Sequence, residues 1–204
     1  MFTWVFDFDG VLANTMAPLV NFLSANLGVS KKRAALWITG YSMSNKPNKL
    51  LKNFRKAQSL RFAKYLDTLD KQPLKVQGVI DLISSLPGKK FVMTSNYDGI
   101  CNIVLGNSIG LFEDVVSFDD VPSKTAGLDY LIQKHSIDIH KTIYITDTIG
   151  DILEFRLSQI PDQHIYAVNW GYHSHGLLLN YLEDTQILKS HDEILTILAK
   201  LDNL

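Results

Sequence analysis

Beyond residue 75 the sequence alternates between short apolar runs, rich in β-branched and aromatic residues, and longer stretches with a helical period. The apolar runs fall at residues 91–93, 115–118, 142–145 and 165–168, with a shorter one at 186–188. Helical patterns fall at 79–86, 98–109, 125–135, about 150–159, 177–182 and 191–201. One more apolar run, 2–6, opens the chain. Runs of this length without polar alternation read as strands buried on both faces. Strands and helices in strict alternation predict an α/β fold, a Rossmann-like parallel sheet with helices on both faces and right-handed crossovers.

Residues 15–75 break that pattern, because they read as helix throughout. Thr15 stands where a helix cap would open a helix ending at Gly28, and Ser30 can cap a second running to Gly40. Pro47 suits the first turn of a third, longer helix that Gln72-Pro73 ends. Charge marks the same segment. Twelve basic residues between Lys31 and Lys75 face two acids, Asp67 and Asp70, a balance of +10. The rest of the chain has eight bases against nineteen acids, or −11. The expected organisation is an α/β core, residues 1–14 and 76–204, interrupted by an all-helical insertion, residues 15–75.

With 204 residues, 46% of them hydrophobic, and a formal charge of −1, the chain has enough apolar material for one well-packed core. The single cysteine, Cys101, excludes an internal disulfide framework and suits a reducing compartment, so a cytoplasmic location is expected. No run approaches the length of a membrane helix, and no basic segment precedes the first apolar run as in a signal peptide.

The ends of the strands carry the chemistry. The first run gives Asp7-Phe8-Asp9-Gly10, the next Thr94-Ser95-Asn96, the third Asp119-Asp120 followed by Ser123-Lys124, and the fourth Thr146-Asp147 with Asp151 beyond. Asp-x-Asp-Gly alone is also an ordinary turn sequence. In a parallel sheet, however, all these ends share one edge, where ligands bind. Carboxylates, a hydroxyl and an ammonium converging there suit a phosphate and a divalent cation.

These residues resemble the motifs of the haloacid dehalogenase superfamily, and specifically its phosphatase branch with a C1-type helical cap inserted after the first strand. The resemblance runs along nearly the whole chain. It implies Asp7 as nucleophile, Asp9 as general acid/base, Thr94 as a phosphoryl ligand with Ser95 and Asn96 beside it, and Lys124 as the neutralising cation. It further implies Mg²⁺ held by Asp7, the main-chain carbonyl of Asp9 and Asp147, with Asp151 placed to hold a water on the metal. An acid at position 9 favours a phosphatase over a dehalogenase, since a phosphate ester's leaving oxygen needs a proton. Two departures stand out: Thr146 replaces a glycine common in relatives, and Thr148-Ile149 is bulkier than usual.

The segment 169–176, Asn-Trp-Gly-Tyr-His-Ser-His-Gly, resembles the tryptophan-glycine segment of phosphoglycolate phosphatase-like members. Trp170 is expected as a cleft wall and His173 as a possible cleft residue. The basic face of the insertion, including Lys49, Lys52 and Arg55, is expected to attract an anionic substrate if it faces the cleft. The function read here is a Mg²⁺-dependent hydrolysis of a small soluble phosphorylated metabolite through an aspartyl-phosphate, by a monomer or homodimer. Two other readings stand beside it. One is a sugar phosphomutase of the same superfamily; the other is a nucleic-acid or protein-binding module using the basic insertion, against which the acidic remainder argues.

Overall fold

In the computed structural model, residues 2–43, 52–70, 74–117 and 119–201 are described, with the backbone alone for 52–57. Six strands, β1 (Thr3–Asp7), β2 (Lys90–Met93), β3 (Asp114–Val116), β4 (Thr142–Thr146), β5 (Ile165–Val168) and β6 (Ile187–Leu188), form one sheet in the order β3-β2-β1-β4-β5-β6. Every pairing is parallel. The strand nearest the N-terminus is therefore central. All five residues of β1 are buried, which accounts for the absence of polar alternation in its sequence.

Successive side chains of each strand enter opposite cores. Trp4, Phe6, Val92, Ile143, Ile145, Tyr166 and Val168 belong to one apolar cluster; Val5, Phe91, Met93, Tyr144, Ile165 and Ala167 belong to the other. Helices α4 (Gln77–Ile83), α5 (Asp98–Leu105) and α9 (Glu193–Leu201) cover the first cluster. Helices α6 (Lys124–His135), α7 (Ile149–Leu157) and α8 (His175–Leu178) cover the second. Each large side chain fully buried in this way contributes about 1.5–3 kcal/mol. At the N-terminal end of β3, Asp114 accepts hydrogen bonds from Lys134 at 2.8 Å and His135 at 2.9 Å, tying the last turn of α6 to the sheet edge.

Between β1 and α4 lie three helices, α1 (Met16–Leu27), α2 (Lys31–Ser42) and α3 (Lys52–Asp67). Ser30 caps α2 by accepting from Arg33 N at 3.3 Å. Phe22 of α1 packs on Phe62 and Tyr65 of α3 at ring separations of 5.3 and 5.7 Å. Phe22, Phe62 and Leu66 also join the sheet's own cluster, so this insertion rests on the core instead of standing apart from it. Its entry and exit run side by side: Ala13 bridges Lys75 antiparallel, Asn14 N donates to Leu74 O at 2.7 Å, and Val76 N donates to Leu12 O at 3.0 Å.

Several elements differ from the sequence reading. Helix α2 passes through Gly40 to Ser42, since one helical glycine costs only about 1 kcal/mol. Helix α5 stops at Leu105, where Gly106 takes a φ of +54°, and a 3₁₀ segment, Gly106–Leu111, follows. The helix expected at 177–182 begins earlier, at His175, and ends at Leu178. The expected contributions of Pro47, Gln72-Pro73 and Phe118, of Lys46, Lys49 and Lys71, and of the side chains of Lys52, Arg55 and Lys56 lie outside the described residues. Among the described residues no helix is long and apolar enough to cross a membrane.

Candidate active site

The strand order reverses direction between β1 and β4, so the loops leaving these two strands diverge and open a crevice. Asp7 ends β1 and is 5% exposed. Its Oδ1 accepts from Phe8 N at 2.7 Å and faces Lys124 Nζ at 2.8 Å. The chain then turns sharply: Gly10 has a φ of +77° and donates its N–H to Ala13 O at 2.8 Å. Glycine is required here twice over, because the backbone is left-handed and a Cβ would overlap the Asp147 carboxylate.

Asp9 is held on both oxygens. Thr15 Oγ1 donates to Oδ1 at 2.6 Å and Asn96 Nδ2 donates to Oδ2 at 2.7 Å. Thr15 thus occupies the cap position of α1 without capping it, and its hydroxyl serves the acid instead. Tyr172 Oη lies 2.8 Å from Thr15 Oγ1; since Thr15 gives its proton to Asp9, Tyr172 is the donor in this pair. Burial raises the Asp9 pKa, opposed by the two hydrogen bonds. A carboxyl with a raised pKa beside a second carboxylate is suited to carrying a proton.

Lys124 opens α6, whose N-terminus is capped by Ser123 accepting from Ala126 N at 3.1 Å. Only 4% exposed, its ammonium contacts Asp7 at 2.8 Å, Asp151 at 2.6 Å and Tyr144 Oη at 3.0 Å. Burial alone would discharge it, but Asp151 and Asp7 outweigh burial and hold it protonated above the ordinary lysine range. Asp151 Oδ2 also accepts from Thr146 Oγ1 at 2.8 Å and Tyr144 Oη at 3.3 Å. Despite its burial these partners, Lys124 foremost, keep Asp151 below the usual carboxylate range. Asp7 shares the same lysine, yet burial drives its pKa well up, aided by Asp151 and Asp147. One ammonium cannot satisfy both carboxylates.

Asp147 completes the set. Fully buried, it accepts from Tyr172 N at 2.6 Å through Oδ2, while Oδ1 has no hydrogen-bond partner. Gly10 and Gly171 close over it from two sides, with no room for a Cβ on either. Burial pushes this carboxyl up to about 8. A buried carboxylate oxygen without a partner is costly unless a cation completes it. Among the described residues no three His, Cys, Asp or Glu side chains are grouped so as to hold a metal ion by themselves. The oxygens at hand are nevertheless of the kind a hard, partly hydrated cation takes: the orphaned oxygen of Asp147, the carboxylate of Asp7 and the main-chain carbonyl of Asp9 in the turn after β1. The residues present fit such an ion.

Thr94, 3% exposed, sits at the end of β2 with its N–H on Val116 O and its hydroxyl accepting from Asn96 N at 3.0 Å. Together with Ser95, Asn96, Asp7, Asp9 and Lys124 it lines a cleft of about 230 Å³ roofed by residues of α1 and α2, Leu19, Ile38, Tyr41 and Ser42. Trp170 and His173 are not among the residues lining this cleft; Tyr172, between them, is. Trp170 packs edge-on against His191 at 4.7 Å within the sheet's core cluster. His173 is 1% exposed and bonded on both ring nitrogens. Lys124 is the sole basic residue among the described residues that line the cleft.

Sequence reasoning missed the parts played by Thr15, Tyr144 and Tyr172. Thr15 looked like a helix cap and Tyr144 like strand filler; only the fold brings them to the acids. The departures at Thr146 and Thr148-Ile149 have work to do. The Thr146 hydroxyl orients Asp151 and accepts from Thr148 N at 3.2 Å, the Thr148 hydroxyl caps α7 by accepting from Asp151 N at 3.4 Å, and the Ile149 side chain fills the second core cluster.

The sequence model of the haloacid dehalogenase-like hydrolase family matches residues 4–160. Among solved structures, the chain is similar to a haloacid dehalogenase-like family hydrolase from Streptococcus pneumoniae, with 20% identity, a TM-score of 0.71, and 97% of this chain and 98% of the other covered. It is similar also to a predicted phosphatase from Clostridium acetobutylicum, at 16% identity and a TM-score of 0.71, covering 100% and 99% of the two chains. A third is CbbY from Rhodobacter sphaeroides, solved with xylulose-1,5-bisphosphate, at 15% identity, a TM-score of 0.67, and 95% and 96% coverage. No curated protein matches the sequence significantly.

Proposed function

This chain belongs to the haloacid dehalogenase-like hydrolase family, and on that premise we propose that it is a divalent-cation-dependent phosphatase acting on small phosphomonoesters through a phosphate carried on Asp7. The observation that carries the reading is the pair of carboxylates at the end of β1, buried Asp7 in contact with Lys124 and half-buried Asp9 held by two donors with a raised pKa.

Asp7 attacks phosphorus, and the bond from phosphorus to the ester oxygen breaks as Asp9 gives that oxygen its proton. Asp9, now ionised, takes a proton from water as the water attacks the phosphorus of the acyl phosphate. Phosphate leaves and the Asp7 carboxylate is restored. Lys124, the Thr94 hydroxyl and main-chain N–H groups of the cleft meet the charge on the transferring oxygens. Asp7, the Asp9 carbonyl and Asp147 are the residues that would hold Mg²⁺, whose charge when bound neutralises the dianion and ionises the carboxylates that burial disfavours.

The cleft's size and the roof of α1 and α2 support a small soluble substrate. The paired segments at Leu12–Asn14 and Leu74–Val76 support a division into a core, residues 1–14 and 76–204, and an inserted cap, residues 15–75. Buried Cys101 suits a reducing, cytoplasmic setting. The test is a panel of phosphomonoesters assayed with and without Mg²⁺, with trapping of labelled phosphate on the protein. Release of inorganic phosphate, dependent on Mg²⁺ and lost in Asp7→Asn, is expected. Conversion of a sugar phosphate to its isomer without release would replace this reading with a mutase.

A further inference from the structure

We infer that His173 is a positioning residue that works as a two-sided clasp, fastening α2 of the insertion to the turn between β4 and α7 that carries Asp147 and Asp151. The imidazole is buried between the two. Its Nδ1 accepts the Ile149 N–H at 3.0 Å, while its Nε2 lies 3.0 Å from Ser42 Oγ and 3.2 Å from Thr39 O.

These partners settle where the ring proton sits. A nitrogen that accepts from a backbone N–H carries no proton, so the single proton of a neutral ring is on Nε2. Ser42 Oγ directs its own proton to the Ile38 or Thr39 carbonyl, each at 3.0 Å, which leaves its oxygen an acceptor. Nε2–H therefore donates to α2, into Ser42 Oγ and Thr39 O. The chain of donors runs one way, from the first amide of α7 through the ring to the last turn of α2.

What the clasp holds gives it consequence. Ile149 is the first residue of α7, lies two residues from both Asp147 and Asp151, and is fully buried. Its N–H is one of the helix-start donors that no intrahelical carbonyl reaches. The neighbouring Tyr172 donates its N–H to Asp147, so one short loop fixes the metal carboxylate with one residue and the α7 start with the next. Ser42 lines the cleft. Lifting α2 off the cleft breaks the bond on one side of the ring, and loosening the turn breaks the bond on the other. Seating the roof and ordering the turn become a single event.

The proton position is read directly from ¹⁵N shifts of the His173 ring in the unmodified protein, where protonated Nε2 and bare Nδ1 are expected. Amide hydrogen exchange then compares the protein with His173→Asn, whose side-chain oxygen replaces Nδ1 but cannot reach α2, and with His173→Phe, which fills the space with neither bond. We expect α2 amides to exchange roughly 10-fold faster in His173→Asn with Ile149 still protected, and both regions to lose protection in His173→Phe. With p-nitrophenyl phosphate as probe, His173→Asn raises KM while leaving kcat within about two-fold, and His173→Phe lowers kcat as well. A ring proton on Nδ1, or exchange in His173→Phe equal to that of the unmodified protein, overturns the clasp. Should His173→Phe fail to fold, the ring shifts and His173→Asn still decide. Neither the shifts nor the exchange depends on the protein being a phosphatase.

Discussion

Lys124 lies closer to Asp151, at 2.6 Å, than to Asp7, at 2.8 Å. The lysine is thus anchored most closely by Asp151, leaving Asp7, the proposed nucleophile, only partly neutralised. Replacing Lys124 with Met leaves the buried Asp7 and the partly buried Asp151 without a counter-ion. We expect a loss of about 3–5 kcal/mol in urea unfolding, the usual cost of breaking a buried pair from one side. A loss under 1 kcal/mol would show that the pair is better solvated than its burial implies.

The Thr146 hydroxyl donates to Asp151 and accepts from Thr148 N. Thr146→Val keeps the shape and deletes both bonds. It should cost about 1–3 kcal/mol, read as a lower urea midpoint with an unchanged m-value.

Asp7→Asn keeps the side chain's size but removes the carboxylate proposed as nucleophile. Turnover of any phosphomonoester found to be a substrate should fall by about 10³-fold or more. Burst measurements of bound phosphate should show none. Turnover within tenfold of the unmodified protein would remove Asp7 from the reaction.

Binding of a cation at Asp147 should be visible without any substrate. A ligand at about 100 times its dissociation constant stabilises by about 2.7 kcal/mol. Mg²⁺ is accordingly expected to raise the melting temperature of the chelator-treated protein, and Asp147→Asn to abolish the rise. Gly10→Ala tests the same place from the other loop. Its Cβ has a left-handed backbone and the Asp147 carboxylate to contend with, so Mg²⁺ affinity should drop at least roughly 10-fold.

Two histidines contribute to the pH dependence of stability. Burial lowers the pKa of His173, against the opposing effects of its bond to Thr39 O and the charge of Asp151. Burial likewise lowers that of His164, with His140 adding to the effect and a bond to Thr142 opposing it. Between the lowered folded values and about 6.5 the unfolded chain binds more protons than the native one, so stability rises with pH across that window. Stability contributed by these groups is complete above about pH 6.5 and is lost as pH falls through their folded values. Asp147, whose carboxyl burial pushes up to about 8, works the opposite way across the same window. The histidine part is therefore read as a difference in denaturant titrations: the change in stability from pH 7 to pH 5.5 should be less unfavourable in His173→Asn than in the unmodified protein.

Much of this was legible in the sequence because a parallel sheet imposes a simple code. Buried runs such as 142–145 could be nothing but central strands, and the residues that end them had to share an edge. Asp7, Asp9, Thr94, Lys124 and Asp147 were expected at one edge on that ground, and the structure brings them together there. Trp170 and His173 were misplaced because alternation is lost in the irregular segment after β5, where nothing in the sequence says which of three successive large side chains faces the cleft. Tyr172 does. Thr15 was misread because a hydroxyl at a helix start has two uses, and the competing partner, Asp9, becomes visible only once the turn at Gly10 is closed.

The central place of β1 has a bearing on how the molecule comes into being. The first strand made is the one that both halves of the sheet must pair with, so Asp7 and Asp9 leave the ribosome long before Lys124 and Asp147 exist to receive them. Closing the intervening loops costs entropy that grows only logarithmically with length, and the helices inserted after β1 therefore add little to it. What they add is time. A nascent chain carries Asp7 and Asp9 without their later partners, and the four residues can stand together only once β4 has been made and paired with β1.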